Sequence, residues 1–144
     1  MQYTSIVVGT DGSEAANETV RQGAALARVC GATLHIVAAY RRLSRRERER
    51  VLRDGPAGLN TDYATDTQAA AKAILEDAAN TIGRGARVAL HTVTATPAAA
   101  LCEVAEREAA ELIVVGNRGV RNPFRGVVAP IYRRVQRAAR CTPL

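Results

Sequence analysis

The stretch Leu112-Ile113-Val114-Val115-Gly116-Asn117-Arg118-Gly119 decides the fold. Its four leading apolar residues predict a strand that is buried on both faces, as in a parallel sheet covered by helices. The run ends in two glycines three positions apart, where the backbone can turn tightly and approach a bulky anion. Ligands of open α/β sheets bind at this carboxyl edge. The stretch therefore predicts an α/β domain that binds a nucleotide or a phosphate.

Strand and helix patterns alternate along the rest of the chain. Helix signals are clear at Ser13, a good N-cap, at Gly31, a helix stop, and at Thr96-Pro97, an N-cap followed by proline. The long polar connection over 40–62 holds an arginine cluster over 41–53, which indicates either a solvated loop or a charged helical turn. The alternation predicts a parallel, doubly wound sheet. Strands are expected at 5–8, 33–39, 87–93 and 112–115, and helices at 13–29, 63–82, 97 onward and 131–139.

Length and composition indicate one domain over residues 1–144, because 144 residues with 47% apolar content can bury an ordinary core. No apolar run is long enough to span a bilayer, and no signal segment begins the sequence, so we expect no membrane partner. The cysteines Cys30, Cys102 and Cys141 are odd in number and far apart. This spacing favours reduced thiols in a cytoplasmic protein and predicts no metal site.

The net charge of +6 is concentrated near one end of the chain. Residues 118–140 hold seven arginines and no acidic residue, which predicts an uncompensated positive field directly after the glycine pair. Such a field favours an anionic ligand. We do not expect nucleic acid, because no zinc-finger spacing or RNA-binding aromatic motif is present and aromatic residues make up only 3% of the chain.

Three segments carry a resemblance to a known family. They are residues 7–13 (Val-Val-Gly-Thr-Asp-Gly-Ser), residues 109–119, which contain the opening stretch, and residues 140–143 (Arg-Cys-Thr-Pro). Over essentially its whole length the chain resembles the universal stress proteins. The resemblance implies a three-layer, Rossmann-like sheet of the adenine nucleotide α-hydrolase type, with five parallel strands in the order 3-2-1-4-5. It also implies an adenine nucleotide, ATP or cyclic AMP, as ligand, with Mg²⁺ only alongside ATP.

The resemblance also implies a site at the ends of strands one and four. The nucleotide-binding branch of the family carries Gly-x2-Gly-x9-Gly-Ser/Thr, which Gly116 and Gly119 match, whereas Ala129 and Pro130 stand in the second half. Alanine restricts positive φ, and proline supplies neither an N–H nor a hydroxyl to a phosphate. Arginines are a hypothetical replacement, because guanidinium binds phosphate bidentately. The expected ligand-binding residues are Thr10, Asp11, Ala39, Gly116, Arg118, Gly119, Ala129 and Pro130, and the replacing arginines are Arg118, Arg121 and Arg125.

Two interpretations of Asp11 stay open. In the family the matching residue contacts the base or ribose, and the end of the second strand lines the adenine pocket. The alternative is an Asx-turn residue that shapes the connection from strand to helix. No catalytic residues are expected, because no nucleophile elbow, phosphate loop or carboxylate pair is present, so the chain is at most a weak ATPase. His35 and His91 lie in mid-strand and are expected to be ordinary packed or surface histidines.

Two functions from different classes remain at this point. One is a stress-response protein that binds an adenine nucleotide, and the other is a nucleotide-independent interaction protein whose site has degenerated at Ala129-Pro130. The segment 142–144 is too short for an ordinary strand, and Pro143 lacks a ladder donor, so a fifth strand is expected to be short or missing. An exposed sheet edge invites pairing with another chain, which predicts a homodimer.

Overall fold

A computed structural model describes residues 3–40, 44–54, 67–116 and 142–143 of the chain. Its strands form one parallel sheet in the order 3-2-1-4-5, as predicted. The fifth strand is short, with two residues paired to Leu112 and Ile113. The strands are β1 (Ser5–Gly9), β2 (Thr33–Tyr40), β3 (Arg87–Thr94), β4 (Leu112–Val114) and β5 (Thr142–Pro143).

The helices begin and end close to the predicted signals. Ser13 caps the first helix by accepting a 3.2 Å hydrogen bond from the Ala16 N–H, and Gly31 ends it in the left-handed region at φ 67°. Thr96 has N-cap dihedrals before Pro97, but its hydroxyl makes no capping hydrogen bond. The helices are α1 (Glu14–Cys30), α2 (Arg45–Asp54), α3 (Thr67–Thr81) and α4 (Pro97–Arg107).

The connection after β2 departs from a simple loop. Residues 45–54 form the ten-residue helix α2, so the charged-helix interpretation of the arginine cluster is the better one. Arg45 and Glu49 lie one turn apart with 3.5 Å between Nε and Oε1, an exposed ion pair that contributes little to stability. Residues 55–66 and the predicted helix over 131–139 lie outside the described residues.

Each face of the sheet has its own core because side chains alternate between faces along a strand. One face packs against α1 and α3, and the other packs against α4. In α4, Leu101, Val104 and Ala105 are all buried, and their three- and four-residue spacing puts them on one face of the helix. The sheet, with α1 and α3 on one side and α4 on the other, gives three layers. None of the helices in the described ranges is long and apolar enough to cross a membrane.

The amino end of β1 is held by one carboxylate from the turn before β4. Glu111 accepts hydrogen bonds from the Thr4 N–H (3.2 Å), the Ser5 N–H (2.9 Å) and the Thr4 hydroxyl (2.6 Å). These bonds lower the pKa of Glu111, with the Thr4 hydroxyl as the largest cause. The Glu111 contacts therefore join the two central strands at the edge opposite to the predicted site.

Candidate functional site

A cleft of about 530 Å³ opens at the carboxyl edge of the sheet. This volume lies within the range typical of small-molecule pockets, about 300–1,000 Å³. The cleft lies between β1 and β4, where the strand order reverses from 3-2-1 to 4-5. Parallel sheets bind ligands at this kind of position. Its lining includes Gly9 at the end of β1, Thr10 and Asp11 directly after it, Ala38 and Ala39 of β2, and Val114, Val115 and Gly116 at the end of β4.

The turn after β1 is held by three hydrogen bonds of ordinary length. The buried Thr10 donates its N–H to the Val37 carbonyl at 2.9 Å and accepts from the Gly12 N–H at 3.1 Å through its hydroxyl. Asp11 Oδ1 accepts from the Ser13 N–H at 2.9 Å, which is an Asx turn. The turn interpretation of Asp11 is therefore correct. Because Asp11 is exposed and also lines the cleft, its ligand-binding interpretation stays compatible with the turn.

Glycines let neighbouring elements approach the cleft closely. A Cβ at Gly116 would lie 2.9 Å from the Thr19 hydroxyl oxygen, nearer than real Cβ atoms come to another atom. Gly12 has φ 82° and would place a Cβ 3.2 Å from Ile74. Packing against α1 thus requires a glycine at position 116, the described glycine of the predicted motif. At position 12, both the positive φ and the packing against α3 favour glycine.

The described wall of the cleft is mostly apolar. Asp11 is the only charged residue among the described lining residues, and the polar remainder consists of the hydroxyl residues Thr10, Ser13 and Thr19. The amino ends of α1 and α4 also border the cleft, through Ser13 and Pro97. Helix amino ends favour negative charge. Because most of its lining is apolar, the described wall suits an apolar ring with hydrogen-bonding groups. The helix amino ends favour an anion, but a polyphosphate also needs cations, which the described wall does not supply.

The structure brings half of the predicted site residues together. Thr10, Asp11, Ala39 and Gly116 all line the cleft. Their roles toward a ligand stay predictions. The other four predicted residues, with the replacing arginines Arg121 and Arg125, lie outside the described residues. The four are Arg118, Gly119, Ala129 and Pro130.

Two residues that line the cleft were not predicted from the sequence to reach it. Ile74 projects from α3, and Leu101 from α4, yet both border the cleft. Their helical spacing predicts only that they face the sheet. Which end of the sheet a helical residue reaches depends on how the helix crosses it, and that crossing is set by tertiary packing.

Comparison with known proteins agrees with this architecture. Residues 2–144 match the model of the universal stress protein family. The chain belongs to that family. No significant match was found among curated proteins.

Solved structures of universal stress proteins superimpose on the whole chain. One, described as a universal stress protein in complex with cAMP, is 26% identical with a TM-score of 0.76, covering 100% of this chain and 96% of that one. A family member from Burkholderia pseudomallei is 25% identical with a TM-score of 0.69, covering 99% and 94%. One from Archaeoglobus fulgidus, described in complex with dAMP, is 23% identical with a TM-score of 0.68, covering 100% and 98%, which supports the fold.

Proposed function

We propose that this universal stress protein binds an adenine nucleotide, ATP or cyclic AMP, in the cleft at the carboxyl edge of the sheet. The observation that carries the proposal is the meeting of Thr10, Asp11, Ala39 and Gly116 around one cleft of about 530 Å³. A relative 26% identical over the whole chain is described in complex with cAMP, and this supports an adenine nucleotide as the ligand class.

The charge distribution of the chain suggests where each part of the proposed ligand binds. The adenine and ribose lie against the apolar described wall, with Asp11 accepting a hydrogen bond from a ribose hydroxyl or an adenine amine. The positive charge for a phosphate group comes from Arg118, Arg121 and Arg125, which follow Gly116 closely in sequence. Mg²⁺ accompanies ATP only.

The protein acts by binding rather than by catalysis in this proposal. Phosphoryl transfer needs a positioned nucleophile and stabilised charge on the transferred group. Asp11 is the one carboxylate of the described lining, and its Oδ1 already accepts the turn hydrogen bond from Ser13. The nucleotide is therefore a signal for a cytoplasmic stress response, and hydrolysis is weak at most. Cys30 and Cys102, which form no disulfide within the described residues, fit a reducing compartment.

An equilibrium titration of the full chain with Mg-ATP and, separately, with cyclic AMP tests the proposal. We expect binding of at least one nucleotide, and ATP binding that weakens as salt is raised because of the arginines. The variant with all three arginines replaced by alanine should lose this salt dependence. Arg84→Ala, which changes an exposed arginine outside the cleft, is the control.

Gly116→Ala locates the binding. Its new Cβ clashes with Thr19 and displaces the end of β4, so nucleotide affinity should fall about tenfold or more, equivalent to about 1.4 kcal/mol. Thr81→Ala, which changes a helical threonine outside the cleft, serves as control and should bind normally. Unchanged affinity in Gly116→Ala would place the nucleotide elsewhere.

Ala129-Pro130 favours a second candidate, a nucleotide-independent interaction protein of the same family. Its mark is a folded wild-type chain that binds neither nucleotide. In either case we propose a homodimer, because β5 is two residues long and Pro143 has no N–H to donate. A monomer in sedimentation at working concentration would contradict the dimer.

A further inference from the structure

The histidines of the chain meet on the face of the sheet that α4 covers. The sequence contains two histidines, His35 on β2 and His91 on β3. His35 Nδ1 lies 2.9 Å from His91 Nε2. Glu108, which follows α4, offers a carboxylate to the same cluster, with one ligand atom from each of the three residues within 4.8 Å of the others. The sequence prediction of ordinary mid-strand histidines did not foresee this meeting.

This histidine cluster (His35, His91 and Glu108) is separate from the nucleotide cleft. None of the three residues is among those that line the cleft. The strand register explains the meeting: His91 is paired with Val37, two positions beyond His35, so both rings project from the same face. His35 is buried, whereas His91 and Glu108 are half-buried at edge strand β3, within reach of an ion from solvent.

We propose that His35, His91 and Glu108 bind a divalent transition-metal ion, of which Zn²⁺ is the representative. Two imidazoles and one carboxylate form a ligand set that suits zinc and its neighbours rather than Mg²⁺ or Ca²⁺. A tetrahedral ion takes its fourth ligand from solvent. Burial lowers the pKa of both histidines and so favours the neutral imidazole, which is the form that binds a metal.

Only small movements separate the observed geometry from coordination. Zinc–nitrogen bonds of about 2.0–2.1 Å in a tetrahedron place two ligand nitrogens about 3.3 Å apart. The two ring nitrogens, now 2.9 Å apart, must therefore separate by about 0.4 Å, which side-chain rotation provides. The Glu108 carboxylate oxygen, which lies within 4.8 Å of a ring nitrogen of each histidine, must move closer to them to reach the ion.

Arg107 opposes the metal. Its Nη2 lies 2.9 Å from His91 Nδ1, and a guanidinium can only donate, so this nitrogen carries no proton. The His91 proton is then on Nε2, which donates to His35 Nδ1. Coordination through His91 Nε2 requires the proton on Nδ1 instead, so Arg107 must leave His91. Glu103, one turn earlier with an oxygen 4.0 Å from Arg107 Nη1, is positioned to receive it.

Titration of the full chain with Zn²⁺ against a chromophoric chelator tests the site, using protein whose three cysteines are replaced by serine. We expect one Zn²⁺ per chain. His91→Gln and Glu108→Gln should each lower the affinity at least about tenfold, since each removes a ligand. Glu106→Gln, near the end of α4 but outside the cluster, is the control and should bind as the parent protein does.

Arg107 variants give a result that a purely structural histidine pair would not. Arg107→Met removes both the charge and the donor and should tighten Zn²⁺ binding about tenfold, whereas Arg107→Lys, which keeps the charge, should stay near the parent. Nitrogen-15 NMR of the two rings should show His91 changing from the Nε2–H to the Nδ1–H form on Zn²⁺ addition, with His35 remaining Nε2–H.

Equal Zn²⁺ affinity in the parent and in His91→Gln would overturn the proposal, as would binding that needs the cysteines. Circular dichroism checks that His91→Gln folds. If it does not, Glu108→Gln and Arg107→Met decide, and the proposal is wrong if both bind Zn²⁺ as the parent does.

Discussion

The cleft at the carboxyl edge and the histidine cluster are built in opposite ways from one sheet. Much of the cleft comes from backbone and small residues at strand ends, and its turn Gly9–Ser13 is continuous in sequence. The histidine cluster comes from side chains of two strands and of the residue that follows α4, with its histidines 56 positions apart. Helix α4 is common to both, because Pro97 and Leu101 border the cleft and Arg107 contacts His91. Strand ends thus supply a site through chain geometry, whereas a sheet face supplies one only through register.

The largest expected effect comes from the shared helix. Leu101 is 3% exposed and borders the cleft, so Leu101→Ala should destabilise the protein by about 2–4 kcal/mol through lost burial and a cavity. Urea unfolding measures this. If the two sites are coupled through α4, the surviving folded protein loses both nucleotide and Zn²⁺ affinity. Loss of nucleotide affinity alone would show that they are independent.

Asp11→Asn separates the ligand role from the turn role. Asparagine keeps an oxygen for the Ser13 N–H, so the Asx turn persists, but it replaces the other carboxylate oxygen with a donor. Nucleotide affinity should fall about tenfold, or about 1.4 kcal/mol, with stability nearly unchanged. Asp77→Asn, an exposed carboxylate on α3, is the matched control for the titration. Equal affinity in both variants would leave Asp11 with the turn role alone.

Glu111→Gln provides a reference for a side-chain contact that joins strands at an exposed edge. Glutamine weakens the charge-assisted bonds to Thr4 and Ser5, and because the site is exposed the cost should be about 1 kcal/mol. The folded-state pKa of Glu111 is below its ordinary value of 4.5, so its stabilisation is present above that value and is lost as pH falls further. In the Glu111→Gln variant, the unfolding midpoint should therefore fall less steeply than in the parent protein as pH decreases below about 4.5.

The smallest expected effect is a pH response of the histidine cluster. His35 and His91 face each other, with Arg107 and Glu108 nearby, and burial keeps both histidine pKa values below 6.5 in the folded state. The unfolded chain therefore takes up protons first, so stability falls as pH decreases from about 6.5. Urea midpoints of the metal-free protein between pH 7.5 and 5 should show this slope. A His91→Gln protein with the same slope would contradict this origin.

The two sites also show how far sequence reasoning reaches. The N-cap Ser13 and the helix stop Gly31 act within a few residues, and the structure has each where the sequence predicts it. The strand order came from the family resemblance and is confirmed. That order already puts β3 beside β2, but the meeting of His35 and His91 was missed because it also requires the exact pairing of the two strands. This pairing is not encoded near either histidine.

The Glu111 contacts have a consequence for how the chain folds. Strand β1 is central, yet one of its neighbours, β4, follows more than a hundred residues later, and Glu111 joins the two across 107 positions. Such non-local pairing slows folding, because a long segment must close before the contact is gained. We therefore expect β1 to pair with β2 before it pairs with β4, and the Glu111 contacts to form late. Glu111→Gln should then speed unfolding more than it slows folding.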